Sequence, residues 1–300
     1  MKKIVMTGAF LLSLTVAYAQ DNQAAIAQDG EGLFGTIDQT GASLAAAINQ
    51  SGEGSIAGII QLGGNGGGGE ESADAGASLQ ALITQSGLEN YADIYQEGAS
   101  QYAAISQDGE GNGAEISQIS VFGLEAVITQ SGSGNGAFIY QEAFTGPATA
   151  SITQVGTDNV ASIDQSDFLT INASATIYQE GSNNLATISQ LNVFDVTASI
   201  SQTGNNNEAH ISQSQGVSGI YGNIEQTGDD NYADISQDGD NNNYEIIQNG
   251  NGFLELGGNR SNVFVEGDFN TVSVTQLGGL NFIDIQQFGT GNVVTAVQGQ

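Results

Sequence analysis

The sequence predicts an all-β fold, a β-solenoid in which strand-turn-strand units stack as parallel, in-register rungs. Three observations predict it: glutamines that recur about every 11 residues, an apolar period of two before each glutamine, and a glycine-asparagine turn pattern after it. Self-similarity at a fixed period is typical of repeat architectures, since each unit buries its apolar face only against the next. A composition rich in Gly, Asn, Gln and Ser could also indicate disorder, but disordered chains do not keep such spacing.

We call the recurring glutamines anchors. Two anchors make one unit of 22–25 residues, and Val265 takes an anchor position 11 residues before Gln276. Such spacing predicts about 12 rungs of two strands, each rung about 4.8 Å above the last. The anchors lie at positions 28, 39, 50, 61, 85, 96, 107, 118, 130, 141, 154, 165, 179, 190, 202, 213, 226, 237, 248, 276, 287 and 298.

Each anchor ends a short predicted strand. In Ala103-x-Ile105-x-Gln107 the named residues alternate with Ala104 and Ser106. A period of two places Ala, Ile and Gln on one face and the intervening residues on the other. A strand of five residues buries too little surface to be stable alone, so stacking is required.

A tight turn follows many anchors, as in Gln154-x-Gly156-x-x-Asn159. Gly and Asn tolerate positive φ, which such turns need. The connections from 118, 141, 165, 190 and 213 to the next anchor are longer, at 12–14 residues, and lack this Asn. We therefore expect one Asn-rich edge and one variable edge. Asn stands five residues after an anchor position at 90, 112, 135, 159, 184, 207, 231, 242, 270, 281 and 292.

Buried amides are costly unless their donors and acceptors are paired. Stacking at about 4.8 Å lets each amide bond the identical amide above and below, which fixes the register. The predicted self-assembly ladders contain Gln85, Asn90, Gln96, Gln107, Asn112, Gln118, Gln130, Asn135, Gln141, Gln154, Asn159, Gln165, Gln179, Asn184, Gln190, Gln202, Asn207, Gln213, Gln226, Asn231, Gln237, Gln276, Asn281, Gln287, Asn292 and Gln298.

The segment from Gln85 through Gly87, Asn90, Ala92 and Ile94 to Gln96 closely resembles the curlin repeat of bacterial curli fibres. The resemblance covers residues 77–300. It implies a secreted subunit that polymerises as cross-β amyloid at the cell surface and serves biofilm and adhesion. It also implies partners: further copies of the chain, a nucleator subunit and an outer-membrane secretion pore.

The chain departs from this family in two places. The family's serine six residues before the first Gln is replaced by Leu79, Leu124 and Ala148. Residues 20–62 keep the Gln spacing without the Asn, which makes them degenerate repeats, and a glycine-rich linker at 63–76 follows. The family's secretion segment has no plain counterpart here.

Residues 1–19 have a basic start, a short apolar run and the Ala17-Tyr18-Ala19 cleavage pattern, which predicts a signal peptide and a secreted chain. Removing them leaves 33 acidic residues against Arg260. Such charge disfavours nucleic acid and anionic membranes as partners. The chain has no Cys, so no disulfide stabilises it.

The sequence offers little for catalysis, and we expect no enzyme, cofactor or metal site. The one histidine, His210, falls at an outward strand position, with no Cys and no serine motif beside it. Residues 238–245 fail the EF-hand spacing, and 63–69 lack the Lys-Ser/Thr of a phosphate loop.

Three functions stay open: a structural amyloid subunit, a monomeric β-solenoid adhesin or ice-binding protein, and an enzyme on a solenoid. Ice binding would need a regular outward Thr row, whereas the residue before successive anchors varies, as in Thr84, Tyr95 and Ser106. The repeat phase continues to Gln298 without a cap, which favours assembly.

Two further expectations concern the edges. The variable arcs carry apolar residues that we expect to cover the core, with an exposed aromatic stripe as the alternative: Val121, Phe122, Phe144, Phe168, Leu169, Val193, Phe194, Ile220 and Tyr221. We expect stacking to raise the pKa of acidic residues at the turns: Glu97, Asp108, Glu110, Glu142, Asp158, Glu180, Asp229, Asp230, Asp238 and Asp240.

Overall fold

The computed structural model describes residues 22–63, 78–120, 123–143, 146–166, 170–214, 218–250 and 258–299. The predicted signal peptide, and the linker beyond Gly63, lie outside these residues. The described part of the chain contains 23 strands and no helix, hence no helix able to cross a membrane.

The strands are β1 Gln23–Glu31, β2 Phe34–Thr40, β3 Leu44–Glu53, β4 Ile56–Gly63, β5 Leu79–Leu88, β6 Tyr91–Gly98, β7 Gln101–Glu110, β8 Gly113–Ser120, β9 Leu124–Ser133, β10 Gly136–Ala143, β11 Ala148–Thr157, β12 Val160–Ser166, β13 Ala173–Ser182, β14 Leu185–Leu191, β15 Thr197–Asn205, β16 Glu208–Ser214, β17 Tyr221–Thr227, β18 Tyr232–Asp238, β19 Asn243–Asn249, β20 Arg260–Glu266, β21 Thr271–Leu277, β22 Phe282–Phe288 and β23 Val293–Gly299.

The strands form two parallel sheets. The odd-numbered strands make a 12-stranded sheet and the even-numbered strands an 11-stranded sheet, each in chain order. Anchor pairs with anchor throughout, as where Gln85 of β5 lies beside Gln107 of β7. The predicted parallel, in-register solenoid is therefore confirmed, with about 11 turns.

The core lies between the two sheets. Alternation along each strand points Ala and Ile inward, and Ile83, Ile94 and Ile105 are at most 1% exposed. Because the register is constant, Ile stacks on Ile and Ala on Ala, so the same side chains pack together from rung to rung. One continuous apolar cluster runs from Ala46 to Ile283.

A second apolar cluster fills the variable edge in the middle of the solenoid. It contains Leu124, Ala148, Ala173, Val193, Val196 and Ile220, all fully or almost fully buried. Leu124 and Ala148 thus contribute to core packing at this edge.

The expectation for the aromatics of these arcs is wrong at Tyr221, which is 41% exposed beside buried Ile220. Ile220 lies just before β17, and the strand alternation then turns Tyr221 outward. The arc is closed by its aliphatic residue. Phe194 is half-buried beside buried Val193. Val121, Phe122, Phe144, Phe168 and Leu169 lie outside the described residues.

Glycine after the anchor is required by space as well as by conformation. Gly87 has φ 103°, and a Cβ there would lie 2.0 Å from the carbonyl oxygen of Gly109 on the next rung. Gly109 stands in the same relation to Gly132, at 1.9 Å. Any side chain at this position would force the rungs apart.

Candidate functional site: amide ladders and open ends

The first glutamine ladder runs the whole length of the 12-stranded sheet. Each Nε2 donates to Oε1 of the anchor on the next strand, as from Gln85 to Gln107 at 2.8 Å. Ten such bonds measure 2.7–2.9 Å, and the last, from Gln276 to Gln298, measures 3.5 Å. The members are Gln28, Gln50, Gln85, Gln107, Gln130, Gln154, Gln179, Gln202, Gln226, Gln248, Gln276 and Gln298.

The second glutamine ladder, in the 11-stranded sheet, is interrupted. Eight bonds of 2.8–3.0 Å connect its members up to Gln237. Val265 then follows, and Gln237 Nε2 and Gln287 Oε1 are buried without a hydrogen-bond partner among the described residues. The members are Gln39, Gln61, Gln96, Gln118, Gln141, Gln165, Gln190, Gln213, Gln237 and, beyond Val265, Gln287.

Tyr244 lies close to this interruption. In register, Ala198 of β15 pairs with Gly222 of β17, and Gly222 pairs with Tyr244 of β19. Tyr244 therefore takes the inward position that Ala holds in β15. A Cβ on Gly222 would approach the amides of Gln213 and Gln237, so this position faces the second glutamine ladder. The Tyr244 ring is fully buried, and burial raises the pKa of its phenol. Its hydroxyl finds no described partner.

The first asparagine ladder lies along the edge where the tight arcs turn, and its direction is opposite to that of the glutamine ladders. Asn112 donates from both its backbone N and its Nδ2 to Oδ1 of Asn90, at 3.0 and 3.1 Å. The same Nδ2 donates to the carbonyl of Gly132 on the next rung at 2.9 Å. Asn112 therefore joins three successive turns. The members are Asn90, Asn112, Asn135, Asn159, Asn184, Asn207, Asn231, Asn259 and Asn281.

The expected division into one Asn-rich edge and one variable edge is wrong at both ends of the solenoid. A second asparagine ladder occupies the opposite edge through Asn242, Asn270 and Asn292, with backbone N to Oδ1 distances of 2.9 and 3.1 Å. Asn22 holds the same kind of position before β1, where its Oδ1 accepts from Leu44 N at 3.1 Å.

Sequence spacing alone missed two of these asparagines. Asn259 follows its anchor by 11 residues because an insertion separates it from Gln248. Asn22 precedes the first anchor, so no earlier anchor marks it. The signal that identifies both is the distance to the following anchor position, six residues.

The outward face of the 11-stranded sheet carries a charged cluster around His210. Its Nε2 lies 2.8 Å from Glu208 Oε1, and its Nδ1 lies 2.6 Å from Thr187 Oγ1 on the neighbouring strand. Arg260 lies over the ring of Tyr232 at 4.4 Å. A hydroxyl, an imidazole and a carboxylate in this order also form catalytic relays. Here Thr187 and His210 are cross-strand neighbours on an open, flat sheet, and such side-chain pairs are typical of sheet stabilisation.

Both ends of the solenoid present open strand edges within the described residues. At the first end, Gln28 Oε1 accepts no hydrogen bond from another described residue, and Phe34 is 58% exposed. At the other end, Gln298 Nε2 has no described acceptor, and Val293 and Val297 are 74% and 68% exposed. The first glutamine ladder therefore ends in an unused acceptor at one end and an unused donor at the other.

Comparison with known families supports a relationship to the curlins. The profile of the curlin associated repeat matches residues 87–119 and 220–251. No curated protein matches the chain. The first matched segment covers β6, β7 and nearly all of β8, and the second covers β17, β18 and β19. The rungs between the two segments keep the same register. The chain is a curlin-like repeat protein folded as a β-solenoid.

Proposed function

We propose that the chain is a secreted structural subunit that self-assembles into extracellular, curli-like amyloid fibres for biofilm matrix and surface adhesion. The pair of open ends is the observation that supports it best, because one end presents unused glutamine acceptors and the other an unused glutamine donor. An uncapped parallel edge is a template for another strand, and natural monomers normally block such edges. The repeated Gln and Asn ladders would extend across the junction as in other cross-β assemblies.

The proposed partner is first of all another copy of the chain. By resemblance to the curlins, a nucleator subunit and an outer-membrane secretion pore would also act on it, and the product would lie on the cell surface. Curlin repeats and this solenoid are structural elements, so we propose no enzymatic activity.

Fibre formation tests the proposal. The chain without residues 1–19 is purified as a monomer, left at neutral pH, and examined by electron microscopy and fibre diffraction. We expect unbranched fibres with a meridional spacing of about 4.8 Å. A chain that stays monomeric and folded under these conditions, with and without preformed seeds, would overturn the proposal.

Ice binding remains a second candidate because the structure sorts the outward residues by sheet. On the 12-stranded sheet, adjacent strands β11, β13 and β15 place eight Ser or Thr residues and Tyr178 outward: Thr149, Ser151, Thr153, Ser174, Thr176, Thr197, Ser199 and Ser201. The sequence comparison that argued against a Thr row had mixed the two faces. Measured thermal hysteresis of the monomer, absent after Thr176→Leu, would favour this candidate over the fibre.

A further inference from the structure

We infer that successive subunits in the fibre are related by a half-turn about the fibre axis, so that the 12-stranded sheet of one copy continues into the 11-stranded sheet of the next. The inference rests on the proposed function, since it concerns the junction between copies. Two features of the solenoid carry it: its step from strand to strand, and its odd number of described strands.

The step from each strand to the next is the same at both edges. Gln107 of β7 donates its Nε2 hydrogen to the backbone oxygen of Tyr91 on β6 at 2.9 Å. Gln118 of β8 donates in the same way to Tyr102 on β7 at 3.0 Å. In both bonds the acceptor stands five residues before the anchor of the preceding strand.

This bond recurs with little variation. It measures 2.8–3.3 Å for every anchor from Gln39 to Gln226, and again for Gln248 and Gln276. Odd-to-even and even-to-odd steps are therefore equivalent. The repeating element is one strand, and each step is a half-turn with a rise of about 2.4 Å, half the strand spacing.

The described solenoid contains 23 strands, an odd number. If the next copy is stacked without rotation, its β1 continues β23, but its β2 lies two strand spacings above β22, about 9.6 Å away. That distance leaves unpaired strand edges inside the fibre at every junction. With a half-turn, β1 of the next copy continues β22 and β2 continues β23, and both sheets are unbroken.

The inward side chains of the terminal strands fit this arrangement. β23 reverses the usual order of sizes, with Val294 at the Ala position and Ala296 at the Ile position. β2 has Gly35 at the Ala position and Ile37 at the Ile position. With the half-turn, Val294 lies against Gly35 of the next subunit and Ala296 against Ile37, so each pair combines a larger with a smaller side chain.

The hydrogen-bond ladders also continue. Gln298 Nε2 meets Gln39 Oε1 of the next subunit, which keeps the direction of the glutamine ladder. At the edge where β22 begins, Asn281 comes to lie below Asn22 of the next subunit. Within the chain, each Asn of this edge accepts from the backbone N of the Asn above it, as Asn259 does from Asn281 at 3.3 Å. Asn22 therefore completes this ladder across the junction.

Disulfide cross-linking distinguishes the two junctions. The chain has no native cysteine, and neighbouring parallel positions lie about 4.8 Å apart, within the range for a disulfide. Thr295→Cys with Thr36→Cys pairs β23 with β2 of the next copy, which only the half-turn brings together. Thr295→Cys with Ala25→Cys is the matched control, since only unrotated stacking pairs these two. All three residues face outward and are exposed.

Each variant is assembled with reductant, checked for fibres by electron microscopy, oxidised, dissolved in denaturant and separated without reductant. We expect linked multimers from the Thr36 pair at roughly tenfold or more above the Ala25 pair, because disulfides tolerate little separation. If the Thr36 variant fails to form fibres, Ala25→Cys with Asp284→Cys pairs β1 with β22 under the half-turn and replaces it.

The outcomes separate the two proposals. The half-turn is overturned if fibres form and the Ala25 and Thr295 pair gives disulfide-linked multimers, or if no designed pair does. Self-assembly itself is left intact by either result. Failure of the unmodified chain to form fibres overturns the proposed function, and the half-turn falls with it.

Discussion

Gln237 and Val265 are neighbours in register on β18 and β20, and the second glutamine ladder ends between them. Gln237 Nε2 is buried there without a described partner. A buried donor that loses its acceptor costs about 1–3 kcal/mol. The last rungs of the 11-stranded sheet are therefore joined to the rest by packing, backbone bonds and the first asparagine ladder, without the glutamine bond that connects every earlier rung.

Restoring this ladder should stabilise the chain. Val265→Gln supplies the missing amide, and Tyr244→Ala removes the ring that occupies the facing position. We expect the double variant to gain about 1–3 kcal/mol in free energy of unfolding, measured by denaturant titration of the monomer. Val274→Gln is the control, since it buries an amide where no ladder exists and should destabilise. If the double variant and Val274→Gln lose the same free energy of unfolding, the ladder does not have the stabilising role assigned to it.

Breaking an intact ladder should have the opposite effect. Gln130→Leu leaves Gln107 Nε2 without its acceptor at 2.8 Å and Gln154 Oε1 without its donor at 2.8 Å. Gln154 Oε1 then has no donor, whereas Gln107 Nε2 keeps its backbone acceptors on Tyr91 and Asn112. With one buried acceptor unpaired, we expect a loss of about 1–3 kcal/mol in free energy of unfolding. Gln80→Leu, at an exposed outward position of β5, makes the same replacement and should change stability little. Similar losses from both variants would show that the amide bonds contribute nothing specific.

Glycine after an anchor should resist substitution. Gly87→Ala places a Cβ against the Gly109 carbonyl at positive φ. It should lower the melting temperature strongly, because the strained backbone alone reduces the free energy of unfolding by about 1–3 kcal/mol. Gly111→Ala separates the two effects, because Gly111 has φ 64° but no atom within 4 Å of the added Cβ. We expect Gly111→Ala to cost clearly less. The reverse order would show that close approach of the rungs is unimportant.

The repeated features of this molecule were predictable from sequence because each depends on local spacing. Ala103, Ile105 and Gln107 take the predicted inward positions, and Val265 takes the predicted anchor position. The exceptions depend on contacts between distant residues. No local pattern shows that Tyr244 faces the second glutamine ladder. Nor does any local pattern show that Asn242 and Leu124 lie along the same edge of the solenoid.

Proline in the last strand should slow fibre growth without unfolding the interior. Ala296→Pro with Gln298→Pro removes backbone donors of β23, the strand that would receive the next copy. We expect a longer elongation time in seeded growth, with circular dichroism of the monomer nearly unchanged. Thr295→Ser is a neutral control in the same strand. Unchanged elongation would mean that this end is not an assembly surface.

Charge on the 11-stranded sheet predicts how pH affects the solenoid. Burial, helped by the carboxylate of Glu115, raises the pKa of Asp93. Burial also raises the pKa of Asp234, although His210 and Arg260 oppose it. These two carboxyl groups lie on the flat face of the sheet. The sequence analysis predicted raised pKa values for carboxyl groups at the turns.

The sign follows from proton uptake. A carboxyl group with a raised pKa in the folded chain binds more protons there than in the unfolded chain. The stability that it contributes is fully present below its ordinary pKa of 3.8 and is lost as pH rises through the raised value. We therefore expect the free energy of unfolding to increase as pH falls from 7 towards about 4, and Asp93→Asn with Asp234→Asn to reduce that slope. Asp29→Asn removes a charge from exposed β1 and is the control.

Assembly should follow the same direction. The chain has a formal net charge of −30, and joining two copies adds repulsion between their acidic residues. Because this repulsion is screened over about 8–10 Å at physiological salt, added salt should shorten the lag of fibre formation at pH 7. Protonation of carboxylates should shorten it further at pH 5, where salt then has a smaller effect. The lag is measured by turbidity and electron microscopy at both pH values, with and without salt. A lag that lengthens at pH 5, or that ignores salt at pH 7, would show that charge does not restrain assembly.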